Sequence, residues 1–239
     1  MFVLLLSACL IAQALAIWPV PKSFTAGDNV LWIDVGVQVK YNGQSVGQTS
    51  TPLNFSWNLL TEKVLGVQSF MTAAGTGSGI LNSEMVITSA ISRTLQTMFT
   101  TSLIPWKFYP RNNISQFEPA ANGEKTQISC LEIIQTAMDR SSTFKPLAGE
   151  LDESYNITIT SDGLATISAA SPSGIIYGLE TFTQLFYEHS SGRAAGLYTQ
   201  QVPIEIIDAP KFAHRGLNMD VSRNYFPVSD IMRTIDALS

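Results

Sequence analysis

Apolar and polar residues alternate along several stretches of the chain, a period of two that is typical of half-buried β-strands. The first stretch covers residues 30–43, VLWIDVGVQVKYNG, where Asn42-Gly43 predicts a tight turn. The alternation predicts one shared strand face for four side chains, which are Val35, Val37, Val39 and Tyr41.

The clearest local signal is a β-hairpin in residues 154–170, SYNITITSDGLATISAA. Two alternating runs flank Asp162-Gly163, and these residue types tolerate the positive φ angles that a two-residue hairpin turn requires. Shorter patterns near 128–135 and at 202–210 predict two more strands, the second of which ends at its final proline.

A period of three to four residues predicts an amphipathic helix that begins at Asn82 or Ser83 and ends before Pro105. Asparagine and serine are both favoured as helix N-caps. The helix carries one apolar stripe, interpreted as core packing, which consists of Ile87, Ile91, Leu95, Met98 and Phe99.

A second helix opens at Ser171-Pro172, where the missing N–H of proline costs nothing, and Gly192 is predicted to close its C-terminal end. Gly178 lies inside this helix and costs about 1 kcal/mol relative to alanine unless another group packs closely against it. The predicted buried face consists of Ile175, Leu179, Phe182 and Phe186.

The order of these elements lacks regular β-α alternation and therefore predicts an α+β domain over residues 17–210. We expect a mainly antiparallel sheet with the two helices on one face. Within this domain, residues 44–81 are poorly patterned, and residues 72–79, TAAGTGSG, predict a flexible loop.

The pattern changes after Pro210. Residues 215–221 alternate and predict a strand, and residues 228–238 predict an amphipathic helix with Ile231, Ile235 and Leu238 on one side. A strand, a loop and a helix in this order begin a parallel β/α fold, so residues 211–239 are interpreted as the first β-α unit of a truncated (β/α)8 TIM barrel.

The first sixteen residues, MFVLLLSACLIAQALA, form a short apolar run that ends in a small-x-small cleavage pattern. They predict a secretory signal peptide, with an uncleaved anchor as the alternative because the segment has no Lys or Arg. Three acceptor sequons fit the same compartment and predict glycosylation at Asn54, Asn113 and Asn156. After cleavage Cys130 is the remaining cysteine. It is interpreted as a buried thiol, as half of an intermolecular disulfide, or as half of a disulfide with a cysteine outside this sequence.

Charge and motifs exclude several classes of function. The 14 Lys and Arg residues against 19 Asp and Glu residues give a net charge of −5 without a basic stripe, which argues against nucleic acid as a partner. His189 and His214 lack neighbours at metal-ligand spacing, and the glycine-rich segment lacks the Lys-Ser/Thr of a phosphate loop. No metal or other cofactor is therefore expected, and after signal cleavage no membrane association is expected.

Carboxylates and arginines are the remaining candidates for chemistry. Asp152-Glu153 precede a hairpin and are interpreted as solvated residues. Asp220 and Arg223 follow the predicted barrel strand and Arg215 begins it, and the guanidinium of arginine can grip vicinal hydroxyls or a carboxylate. By spacing alone, an Arg-Asp ion pair that braces the strand is an equal alternative.

The segment 215–238, RGLNMDVSRNYFPVSDIMRTIDAL, resembles the opening of the catalytic barrel of the β-N-acetylhexosaminidases, family 20 of the glycoside hydrolases. Upstream, DESYNITI, SGIIYGLETFTQLF and VPIEIIDAPKFAHRG resemble the small α+β domain before that barrel. SAISRTL and PWKFYPRN resemble the fungal type. The resemblance covers most of residues 17–239, with no good match over 44–81.

The resemblance implies removal of terminal β-linked N-acetylglucosamine or N-acetylgalactosamine by a retaining mechanism that the substrate's acetamido group assists. It implies that Arg215 hydrogen-bonds hydroxyls of the terminal sugar and that Asp220 and Arg223 support the site. The Asp-Glu pair of the family's reaction lies beyond this sequence. We therefore expect this chain to be the inactive N-terminal portion of a secreted exo-acting enzyme. A vacuolar or lysosomal location is an alternative to secretion, and the complete enzyme could be a homodimer.

Two other readings stay open at this point. A short product could act without catalysis, as a folding or partner-binding module for a full-length enzyme. A similar α+β domain could also precede a different barrel, such as an α-glucuronidase-like enzyme, although the Asp-x-Ser-Arg spacing at Asp220 argues against this.

Overall fold

The structure is a computed structural model that describes residues 17–46, 83–101, 118–138, 149–192 and 195–238. Within these ranges eight strands form one sheet. The strands are β1 (Ser23–Ile33), β2 (Gln38–Tyr41), β3 (Gln44–Ser45), β4 (Cys130–Gln135), β5 (Tyr155–Ile159), β6 (Leu164–Ala169), β7 (Tyr187–Glu188) and β8 (Leu197–Asp208). Their order across the sheet is β1-β8-β5-β6-β4-β2-β3, and β7 also pairs with β8.

The sheet is mixed. Strand β4 runs parallel to both of its neighbours, β2 and β6, whereas the other pairings between these strands are antiparallel. Parallel neighbours require a long crossover, and the connection from β2 to β4 supplies one. Five of these seven strand pairings are antiparallel, so the expectation of a mainly antiparallel sheet is confirmed, and the two parallel pairings of β4 make the sheet mixed.

The hairpin predicted at Asp162-Gly163 joins β5 to β6. Gly163 has a φ of +90°, and a Cβ atom there would lie 2.2 Å from the Gln127 carbonyl oxygen. Glycine is therefore required both by the turn and by the neighbouring chain. The turn predicted at Asn42-Gly43 is also present, with φ angles of +47° and +79°.

The two predicted helices of the α+β domain are confirmed. The first is α1 (Ser83–Gln96), which continues as a π-helical turn over Thr97–Thr101, and the second is α2 (Pro172–Thr183). Ser171 is the N-cap of α2, and its side chain accepts a hydrogen bond from the backbone N–H of Gly174 at 3.2 Å.

Both helices bury their predicted stripes in the same core as the sheet. Phe182 and Phe186 pack edge to face with ring centroids 4.9 Å apart. The central members of this core, each at most 2% exposed, are Ile87, Ile91, Met98, Ile133, Ile157, Ile167, Ile175, Leu179, Phe182, Phe186 and Ile206.

Two local predictions are wrong. Val35 is 70% exposed, because the chain turns after β1 with the Gly36 N–H bonded to the Asp34 carboxylate at 2.7 Å, so the alternating run is interrupted. Gly192 does not close α2. The helix ends at Thr183 with Gln184 as its C-cap, and Gly192 lies after β7 with a φ of +90°.

The strand predicted at 215–221 is also absent from the structure, which has an irregular segment and a turn there. No strand among the described residues lies beside it, and an isolated strand leaves its backbone donors and acceptors without partners. The helix that follows is confirmed as α3 (Val228–Leu238), and Met232 and Ile235 on it are both 53% exposed.

Several predictions lie outside the described residues, namely the signal peptide at 1–16, the flexible loop at 72–79 and the sequons at Asn54 and Asn113. Among the helices in the described ranges, none combines the length and the apolar character needed to cross a membrane.

Candidate functional site

The structure joins Arg215 to the α+β domain through two side chains. The Nη2 group of Arg215 donates to Glu153 Oε1 at 2.7 Å and to the Tyr177 hydroxyl oxygen at 2.8 Å. The guanidinium also lies over the Tyr177 ring, 5.3 Å from its centroid. The Arg215 side chain is 37% exposed and that of Glu153 is 23% exposed, so the cluster lies at the edge of solvent.

Two further contacts complete this cluster. The Tyr177 hydroxyl donates to Glu153 Oε1 at 3.4 Å, and Arg215 Nη1 donates to the backbone carbonyl of Phe212. The hydrogen bonds to Glu153 and Tyr177 raise the pKa of Arg215 above its ordinary value, so the guanidinium carries its charge at any pH at which the protein is folded.

The position of Glu153 is set by its neighbours. The Ser154 N–H donates to the Asp152 carboxylate at 2.9 Å, and the Ser171 hydroxyl donates to the Asp152 carbonyl. Hydrogen bonds from Ser154 hold the pKa of Asp152 below its usual range. The segment before β5 is thereby tied to the N-cap of α2.

The position of Tyr177 depends on the close approach of α2 to the sheet. A Cβ atom on Gly174 would lie 2.6 Å from the Ser154 carbonyl oxygen, and one on Gly178 would lie 2.6 Å from Ile167 Cγ2. Both glycines are buried and lie one helical turn apart on the same face. Their lack of side chains lets α2 approach β5 and β6, and this explains why a glycine is present inside a helix.

Asp220 and Arg223 lie in a separate turn within an open concave surface lined by residues 218–223. Asp220 accepts hydrogen bonds from the backbone N–H groups of Ser222 at 3.0 Å and Arg223 at 3.1 Å, and its second oxygen is bonded by Arg223 Nε. Bonds from the Arg223 backbone and from Ser222 hold the pKa of Asp220 below its usual range. Asp220 therefore pairs with Arg223, and both belong to a self-contained loop.

The two histidines have different surroundings. Nδ1 of His189 accepts from the Ser191 N–H at 3.1 Å, so its Nε2 carries the hydrogen that faces the Pro119 carbonyl at 3.0 Å. His189 is 6% exposed, whereas His214 is exposed. In the described part of the chain, no group of three or more His, Cys, Asp or Glu side chains is arranged to hold a metal ion.

Sequence reasoning missed two members of the cluster. Asp152 is exposed as expected, but Glu153 is not a solvated residue, because it is half-buried and paired with Arg215 62 positions away. Tyr177 was interpreted only as part of a helix. A polar aromatic residue beside a predicted buried face was the one available signal for it.

The remaining predicted residues lie elsewhere. Asn156 is exposed on β5, opposite the helices, and Cys130 is a half-buried free thiol at the start of β4. Asn156 pairs in register with Ser168 on one side and Ile207 on the other.

Comparison with known proteins gives this cluster a family context. Residues 17–185, more than two thirds of the chain, match a family model described as beta-acetyl hexosaminidase like. Residues 212–239 match the catalytic domain of glycosyl hydrolase family 20. The chain belongs to glycosyl hydrolase family 20. The Glu153–Tyr177–Arg215 cluster thus joins the two matched segments.

Two relatives in family 20 illustrate the match. A beta-hexosaminidase of Arthroderma benhamiae is 35% identical over 235 residues, which cover 94% of this chain and 37% of that protein. The human beta-hexosaminidase subunit beta is 37% identical over 122 residues, which cover 51% of this chain and 20% of that protein. The chain therefore spans at most about two fifths of the length of these relatives.

One solved structure agrees with the fold. The Flavobacterium johnsoniae chitobiase matches 91% of this chain with a TM-score of 0.50 and 23% sequence identity, and the match covers 24% of the chitobiase chain. The similarity is to the fold alone, a mixed sheet with few helices.

Proposed function

We propose that this chain is the amino-terminal portion of a secreted, exo-acting β-N-acetylhexosaminidase. The complete enzyme removes terminal β-linked N-acetylglucosamine or N-acetylgalactosamine from oligosaccharides and glycans. The observation that carries the proposal is the juxtaposition of the two family segments, since Arg215 of the catalytic match is hydrogen-bonded to Glu153 of the upstream match.

In this proposal the acetamido oxygen of the substrate attacks the anomeric carbon while the glycosidic bond breaks. A glutamic acid gives its proton to the departing oxygen, and a neighbouring aspartate orients the acetamide. Both carboxylates belong to the part of the enzyme beyond residue 239, and residues 211–239 begin its (β/α)8 barrel. No metal or other cofactor takes part.

Arg215 is the substrate-binding residue of this chain in the proposal. Its guanidinium has five N–H donors, of which three contact Glu153, Tyr177 and Phe212. The other two have no acceptor among the described residues and are available to hydroxyl oxygens of the terminal sugar. Asp220 and Arg223 support the site by fixing the loop that follows.

The activity test compares two proteins. We expect the complete protein to release the chromophore from a chromogenic N-acetyl-β-glucosaminide, and the purified 239-residue chain to release none, because it lacks the proton donor. A folded complete protein without turnover would refute the proposed reaction. Turnover by the short chain would refute the location of the acid beyond residue 239.

Secretion and glycosylation form a second part of the proposal, with a vacuole or lysosome as alternative destinations. The Asn156 side chain is exposed and is followed by Thr158, so an oligosaccharyltransferase can reach it. We expect Asn156→Gln to lower the apparent mass of the secreted protein by that of one N-linked glycan. Treatment with an N-glycosidase should abolish the difference between variant and wild type, and an unchanged mass before treatment would contradict the assignment.

A further inference from the structure

We infer that Glu153 and Tyr177 are positioning residues that fix the direction in which Arg215 presents its free donors to the sugar. The inference rests on the proposed function and gives the α+β domain a part in substrate binding. It assigns this part to two side chains that never touch the substrate.

The hydrogen-bond inventory of Arg215 is the first support. Both hydrogens of Nη2 are used, one on Glu153 at 2.7 Å and one on Tyr177 at 2.8 Å, and Nη1 uses one hydrogen on the Phe212 carbonyl. Contacts to Nη1 and Nη2 together fix the planar group against rotation about its terminal bonds. The remaining donors, Nε–H and one Nη1–H, are thereby each held in a fixed orientation.

The second support is that both anchors are themselves held. Glu153 lies between Asp152, whose carbonyl accepts from Ser171, and Ser154, whose carbonyl oxygen would be 2.6 Å from a Cβ atom added to Gly174. Tyr177 lies on α2 between two buried glycines that bring the helix against the sheet. A guanidinium held by rigid partners loses less conformational entropy on binding than a free one.

The third support is the chemistry of the pairing. Glu153 is the anionic partner of Arg215 and is only 23% exposed, so it is partly shielded from competing water. Tyr177 contributes a cation–π contact, with the guanidinium 5.3 Å from its ring centroid, and a hydrogen bond that its hydroxyl oxygen accepts at 2.8 Å. Glutamine at 153 would keep the size but lose the charge, and phenylalanine at 177 would keep the ring but lose the bond.

The test measures KM and kcat of the complete protein with a chromogenic N-acetyl-β-glucosaminide. We expect Glu153→Gln and Tyr177→Phe each to raise KM on the order of tenfold, the size expected for a lost hydrogen bond to a charged group, with a much smaller change in kcat. Glu180→Gln is the matched control, because Glu180 is exposed on the same helix and contributes no anchor. We expect wild-type kinetics for it.

A double-mutant cycle separates positioning from a general structural role. If Glu153 acts through Arg215, Glu153→Gln should have almost no further effect on KM once Arg215→Ala has removed the guanidinium. Additive effects on KM in the cycle would overturn the inference, and so would a wild-type KM in both Glu153→Gln and Tyr177→Phe. In either case an active wild-type protein would still support the proposed function. An inactive folded wild type would instead overturn the proposed function, and the inference with it. If Glu153→Gln does not fold, the cycle is measured with Tyr177→Phe in its place, and the same outcomes apply.

Discussion

Replacing Gly174 with alanine is expected to lower the melting temperature of the protein by on the order of 5 °C. The added Cβ would lie 2.6 Å from the Ser154 carbonyl oxygen and 2.8 Å from the Ala169 Cβ. The first of these atoms is backbone, so α2 must move away from β5 as a rigid body. The cost of overpacking, roughly 1–3 kcal/mol, exceeds the gain of at most about 1 kcal/mol from better helix propensity.

Thermal unfolding followed by circular dichroism measures this effect. Glu180→Ala is the control, since it introduces the same residue at an exposed position of the same helix and is expected to change the free energy of unfolding by no more than about 0.5 kcal/mol. A Gly174→Ala variant as stable as the wild type would show that α2 is not held against the sheet as closely as described. In the complete enzyme the same variant should also raise KM, because Ser154 adjoins Glu153.

Alkaline conditions are expected to remove on the order of 2 kcal/mol of stability through Tyr155. Tyr155 is 5% exposed, and its hydroxyl lies 2.6 Å from Thr181 Oγ1 and donates to Asp208 Oδ2 at 2.9 Å. Burial is the main cause that raises the pKa of Tyr155 to about 12, and the Asp208 carboxylate adds to it.

The sign follows from the direction of the shift. A raised pKa means that the folded state holds the tyrosine proton more tightly than the unfolded state does. The contribution of Tyr155 is therefore fully present below pH 10, the ordinary pKa, and is lost as the pH rises towards 12. Stability falls in this window because the unfolded chain releases a proton that the folded chain retains.

Urea unfolding between pH 8 and pH 12 measures this loss. Tyr155→Phe should be less stable than wild type at pH 8, because Asp208 loses a hydrogen bond, but its stability should fall less steeply above pH 10. Tyr225→Phe, at a position that is 87% exposed, should keep the steep wild-type profile. Parallel curves for wild type and Tyr155→Phe would contradict the role of Tyr155.

Local signals in the sequence predicted most of the α+β domain correctly. The apolar stripes of both helices, the Ser171-Pro172 helix start and the Asp162-Gly163 hairpin depend on residues close together in the chain. Periodicity and turn chemistry act over such distances, so these elements were readable before any tertiary contact was known. The sequence also predicted the cost of Gly178 inside α2 and the condition that offsets it, which is close packing of another group against the helix.

Predictions that depended on partners far along the chain fared worse. Residues 215–221 have an alternating pattern, yet form no strand because no neighbouring strand is present among the described residues. The failure at Val35 has a local cause instead, because the Asp34 carboxylate accepts from the Gly36 N–H and turns the chain within the alternating run. Alternation specifies which face of a strand is apolar and leaves open whether a partner strand exists.

By itself, the sequence determined the family and the helices and hairpin of the small domain. It also singled out Arg215 as the residue that, in the proposed function, donates hydrogen bonds to sugar hydroxyls. Only the tertiary structure decided what surrounds that arginine. Glu153 lies 62 residues before Arg215 and Tyr177 lies 38 residues before it, and no pattern of period two or four connects such positions. They meet because two glycines let α2 approach the sheet, and that approach is a property of packing.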